Sequence, residues 1–129
     1  MRPPAGAPSS PKRQYPADAE IYEMQVRICK AFSSVTRLRL LDLLGSRETS
    51  GAELQTQLGI TAVNLSQHLA VLKAAGVVTT RRQGRRIFCS LAMPEVKAAC
   101  EQVRAVIRAQ IRSRAQSLGR TVALPLRKA

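Results

Sequence analysis

Tryptophan is absent from this 129-residue chain and aromatic side chains make up only 3% of it, too few for the stacking platforms on which RNA or single-stranded bases rest. Histidine occurs once, and no nucleophile–histidine arrangement, paired carboxylates on one face or glycine-rich phosphate loop can be traced, so an enzyme is not expected. Cysteine appears three times, as Cys29, Cys89 and Cys100. An odd number at wide spacing argues against a secreted disulfide framework and for reduced thiols in the cytoplasm. No apolar run approaches the ~18 residues that a membrane helix needs, and the amino terminus lacks the apolar core of a secretory leader. The expectation is a cytoplasmic protein without a membrane partner.

Charge of one sign is abundant. Twenty-one Lys and Arg against eight Asp and Glu leave a formal +13, an excess that favours polyanions, either an anionic membrane surface or, on the pattern below, nucleic acid. Five of the seven prolines fall in the first 17 residues, "MRPPAGAPSSPKRQYPA", where almost no aliphatic side chain is available to offset ordering entropy. Residues 1–17 therefore read as a disordered basic, Pro-rich tail, 18–118 as the folded domain, and 119–129, "GRTVALPLRKA", as a flexible carboxy-terminal tail.

Within the domain, spacing predicts five helices. Ile21, Met24, Ile28 and Phe32 recur at helical intervals over 17–32, with Asp18, Glu20 and Glu23 early, where the helix dipole favours anions. "SSVTRLRLLDLLG" follows, capped by Ser33 or Ser34 and stopped at Gly45; five of its residues from Leu38 to Leu44 are Leu, so this helix belongs at the centre. Ser50 and Glu53 form a capping-box pattern ahead of Leu54 and Leu58, and Gly59 ends that short helix. Thr61 can cap the next, whose inward stripe is Leu65, Leu69 and Leu72 and whose stop is Gly76. "VVTTRR" and "RRIFCSL" then read as two strands around Gln83-Gly84. After Pro94 a long helix is expected over 95–118, with Val96, Cys100, Val103, Ile107, Ile111 and Leu118 on its apolar side.

A short capped helix, a tight turn with glycine and a second helix make a helix-turn-helix pattern. With its leucines inward, the second helix turns Thr61, Ala62, Asn64, Gln67 and His68 outward at its amino-terminal half, the part that meets the major groove in this motif. Asn and Gln can pair bidentately with adenine and small side chains can touch thymine methyls. Ser66 and Lys73 of the same helix complete the candidate DNA-contacting set, with Arg81, Arg82, Arg85 and Arg86 of the hairpin suited to phosphates or the minor groove. The competing reading is a non-specific architectural protein that grips DNA through charge alone.

"AFSSVTRLRLLDLL", "ELQTQLGITAVNLSQHLAVLKAAGVV" and "RRQGRRIFCSL" together resemble the ArsR/SmtB family of dimeric winged helix-turn-helix repressors, over about residues 28–91. The resemblance implies a mainly helical fold of five helices plus a two-stranded wing. It also implies a homodimer through the first and last helices, binding an inverted-repeat operator on double-stranded DNA and released by an inducer. The apolar residues Ile21, Met24 and Ile28 of the first helix and Val96, Cys100, Val103, Ile107 and Ile111 of the last would form the interface. The stripe on the last helix agrees independently, since a symmetric partner would cover a patch that one small domain leaves open.

The sequence departs from the family where metals bind. "GAELQTQLG" carries no thiol pair before the turn, and the last helix has no His, so neither usual metal site is carried over. Two readings of Cys29, Cys89 and Cys100 stay open. They are small buried hydrophobes, in a protein that senses neither metals nor thiol chemistry. Alternatively two or three of them, with Cys89 and Cys100 the favoured pair, answer a soft metal or metalloid or a thiol-reactive inducer. No cofactor is otherwise implied.

Overall fold

The computed structural model describes residues 18–118, so the tails expected at 1–17 and 119–129 lie outside the described residues. The chain divides into two compact units, one ending at Ala92 and the other beginning at Met93.

In the first unit, α1 runs Asp18–Ala31, with Asp18 and Glu20 in its first turn and Lys30 in its last, each favourable to the dipole. Of its residues only Ala31 is buried; Ile21 and Met24 are exposed and Ile28 is half-buried. Helix α2 spans Val35–Leu44, and Ser34 is its cap, the hydroxyl accepting from the Arg37 N–H at 3.2 Å. The leucine run does lie at the centre: Leu40, Leu41 and Leu44 are buried, each contributing about 1.5–3 kcal/mol of transfer free energy.

Helix α3 (Gly51–Leu58) ends at Gly59 with φ +67, and α4 (Ala62–Ala74) starts at once, its cap Thr61 accepting from the Asn64 N–H at 3.1 Å. Leu54 and Leu58 of α3 and Leu65, Leu69 and Leu72 of α4 are buried, which locks the two helices into a helix-turn-helix. The hairpin pairs β2 (Val78–Gln83) with β3 (Arg86–Leu91) in the register Val78↔Leu91 to Gln83↔Arg86. Its turn is Gly84-Arg85, one residue later than expected, and Gly84 at φ +64 supplies the positive angle that a two-residue hairpin turn demands.

The wing is not two-stranded. Thr49–Ser50 form a short strand β1 that pairs antiparallel with Cys89 and Phe88, giving a three-stranded sheet ordered β1-β3-β2. A two-residue strand in "SRETSG" has no room for the alternation that betrays a strand. It is buried and joins the wing to the start of α3, where Gly51 is required: a Cβ there would lie 2.8 Å from Ile87 Cγ2.

The second unit is α5, Pro94–Ser117, with Pro at its first turn, Glu95 early and Arg114 late. Val96 is buried, Cys100 and Ile111 are half-buried, and Val103, Val106 and Ile107 are exposed. Among the described residues no helix is long and apolar enough to cross a membrane.

Candidate nucleic-acid interface

Helix α4 orients the candidate reading residues through its own caps and core. Leu65, Leu69 and Leu72 fix its rotation, and Thr61, Ala62, Asn64, Ser66 and Gln67 are then all exposed over its first two turns. No hydrogen bond within the described residues ties down the side chains of Asn64, Ser66 or Gln67, so their donors and acceptors face solvent ready for a partner.

His68 stands apart. It is half-buried, and its Nδ1 lies 3.2 Å from Arg37 Nη1. Because a guanidinium can only donate, Nδ1 must accept, which leaves the proton on Nε2. Arg37 in turn donates from Nε to the Ala31 carbonyl at 2.6 Å and from Nη2 to the Lys30 carbonyl at 3.2 Å. One side chain thus satisfies carbonyls at the end of α1 and touches the middle of α4. Arg37 lies within the stretch "AFSSVTRLRLLDLL", but nothing in its local sequence announces partners on α1 and α4.

The four hairpin arginines divide into three environments. Arg81 is held by Glu48 in a bidentate pair, Nε to Oε2 and Nη2 to Oε1, both 2.8 Å, and also donates to Gln83 Oε1 at 3.1 Å. Its guanidinium lies 4.5 Å from the centre of the Phe88 ring. Arg86 approaches the same ring at 5.0 Å. Arg82 and Arg85 are exposed and make no ion pair or hydrogen bond within the described residues. The hydrogen bonds from Arg81 hold the Glu48 carboxyl below its ordinary value, against an opposing desolvation. Its folded pKa is depressed, so the pairing is intact above the ordinary carboxylate range and opens as pH falls through the folded value. Glu48 was not anticipated because its partner Arg81 lies 33 residues away, and Phe88 because only the pairing of the two strands brings Arg81 over its ring.

Between α4 and the hairpin lies a cleft of about 470 Å³, lined by residues that include Leu65, Ser66, Leu69, Lys73, Arg85 and Ile87. Lys73, in the last turn of α4, therefore shares a surface with the hairpin cations.

The candidate thiols differ in environment: Cys29 is exposed, Cys100 half-buried and Cys89 fully buried. Burial pushes the Cys89 thiol up, partly opposed by Lys73. Among the described residues no three His, Cys, Asp or Glu side chains converge as a metal site would require.

Residues 32–81 match the family described as a helix-turn-helix domain. The chain is 35% identical over 88 residues to the HTH-type transcriptional regulator Rv0081 of Mycobacterium tuberculosis, covering 67% of this chain and 77% of that protein. It superposes on the crystal structure of Rv0081 with a TM-score of 0.68 at 33% identity, over 74% of this chain and 96% of that one. A homodimeric winged helix-turn-helix DNA-binding domain from Mycobacterium bovis, Mb0332, described as possibly of the ArsR family, superposes with a TM-score of 0.67 at 29% identity, over 73% and 89% of the two chains.

Proposed function

We propose, from the premise that this chain belongs to the ArsR/SmtB-type winged helix-turn-helix transcriptional regulators, that it is a cytoplasmic repressor acting as a homodimer on an inverted-repeat operator. DNA-binding transcriptional regulation is the function of this family; the finer reading rests on the exposed polar face of α4. Asn64 and Gln67, aided by Thr61, Ala62 and Ser66, read base edges in the major groove. Arg82, Arg85, Arg86 and Lys73 neutralise phosphates, and Arg81 adds to them to the extent that Glu48 releases it. His68 meets the DNA backbone only through Nε2, since Arg37 occupies its other nitrogen. Residues 18–118 carry both DNA binding and dimerisation, and homodimeric Mb0332 supports the paired state.

The single observation that carries this reading is that side chains able to discriminate bases are exposed together and unengaged on one helix, beside cations held on a hairpin. A protein that used charge alone would have no need of the first feature. The decisive experiment selects operator DNA from a random pool and then compares the selected and scrambled duplexes. Asn64→Ala and Gln67→Ala are expected to lose discrimination, by about 1–3 kcal/mol per lost base contact. Arg85→Ala should weaken all duplexes alike and lower the salt slope by about one. If wild type held every duplex with equal tightness, an architectural protein would be the better description.

A further inference from the structure

We propose that the cleft between α4 and the β2–β3 hairpin binds a small amphipathic carboxylate, and that its occupation excludes DNA. The proposal rests on the reading of these two elements as the DNA-facing surface and names how that surface is regulated.

The cleft measures about 470 Å³, within the range of small-molecule sites. Leu65, Leu69 and Ile87 give its lining an apolar part, with Ala62 and Ala70 along the helix, and the neutral polar side chains of Ser50, Gln55, Ser66 and Thr80 stand beside them. The short side chains on this face of α4 leave the gap open, while Gly51 lets α3 press directly on Ile87, so the floor is preformed. Lys73, Arg85 and Arg86 stand among the lining residues and no acidic residue does, so the preferred occupant carries negative charge. A DNA phosphate would use the cations but has no apolar part to lay against the leucine and isoleucine walls. A molecule with a carboxylate head and a short hydrocarbon tail satisfies both, the head taking charge-assisted hydrogen bonds and the tail shedding water. Because Arg85, Arg86 and Ser66 serve both guests, one displaces the other, and the affinity gap between them becomes the induction free energy.

The test uses the full chain, straight-chain carboxylates from hexanoate to dodecanoate below their micelle concentrations, and the matching alcohols. Binding is followed by calorimetry and by amide chemical shifts, and displacement by competition with duplex selected in the absence of any carboxylate. Saturable binding with an optimum tail length is expected, with alcohols weaker by about ten-fold or more. Shifts should centre on Ala70 and Ile87, and DNA should be released. Ala70 is exposed and absent from the DNA-contacting set, so Ala70→Phe, or the milder Ala70→Met, fills the cleft while leaving the ligand-free protein on its selected duplex. Either variant should abolish carboxylate binding and make the DNA complex insensitive to it. No saturable binding by any carboxylate, equal binding of alcohols, binding undiminished in both variants, or binding without DNA release would each overturn the proposal. Failure to select any duplex sinks the repressor reading instead, and is seen before a carboxylate is added.

Discussion

Cys89 lies at the centre of the first unit with none of its surface exposed, paired across β3 to Thr49 on one side and Thr80 on the other. Ile87, Cys89 and Leu91 alternate along β3 and so share one face of the strand, which is the local pattern that goes with burial of this thiol. Its reactivity follows from the same placement. Burial favours the neutral thiol, so its folded pKa stands above the ordinary 9.0 and little nucleophilic thiolate forms near neutrality. By linkage, the stabilisation from keeping this group protonated is complete below the unfolded thiol's pKa and declines as pH rises through the folded one, so its loss belongs to the alkaline range. In native protein at mildly alkaline pH, iodoacetamide should modify the exposed Cys29 and spare Cys89; all three cysteines should react once denaturant is added. Peptide mapping showing Cys89 alkylated as fast as Cys29 in the native state would favour the thiol-sensing reading of Cys89 over the structural one.

At the level of elements, chain-local signals were legible and contacts remote in sequence were not. Ser34, Ser50 and Thr61 each accept the expected amide at a helix start, and Gly59, Gly76 and Gly84 take the positive φ that their stops and turn need. The capping box at Ser50 is only half made, because the Glu53 carboxylate is drawn to Arg47 instead. Strand β1, the Glu48–Arg81 pair and the Arg37–His68 contact all join residues more than 30 apart in sequence, beyond the reach of any periodicity. The same limit applies to the reading surface: which faces of α4 are outward was legible from its leucines, whereas the tether on His68 was not. Arg37 is the link that joins two helices, since its planar fork reaches two carbonyls of α1 and one imidazole of α4 at once. Arg37→Leu should lower stability by about 1–3 kcal/mol through the lost charge-assisted bonds, read as a lower urea midpoint, and should weaken selected-duplex binding as α4 loses a fixed support. Arg37→Lys should recover only part of either effect, because an ammonium cannot span the same three acceptors. An unchanged midpoint in the leucine variant would mean that the network contributes nothing.

For the whole molecule the question is what covers the apolar surface that one chain leaves in water. Helix α1 exposes Ile21, Met24 and Val26, and α5 exposes Val103, Val106 and Ile107; each helix also carries enough charge elsewhere to remain amphipathic. A small protein with a net charge of +13 repels its own copies, so association must draw on apolar burial, at about 25 cal/mol per Å² removed from water, and is favoured by salt. DNA binding responds to salt in the opposite direction, because phosphate contacts release counterions. The two equilibria can therefore be separated by measuring each across one salt series. Sedimentation of wild type should give a dimer that tightens with salt. Met24→Glu in α1 and Ile107→Glu in α5 should each shift it toward monomer, since a carboxylate buried without a partner is strongly unfavourable. Circular dichroism should remain that of the wild type, because both positions are exposed in the single chain. Affinity for an inverted-repeat duplex should then fall to that for a single half-site, as the two reading helices are no longer linked. If Ile107→Glu remained dimeric, α5 would not form the interface. Should wild type sediment as a monomer at every salt concentration, the paired state would have to be abandoned, and an operator of two symmetric half-sites with it.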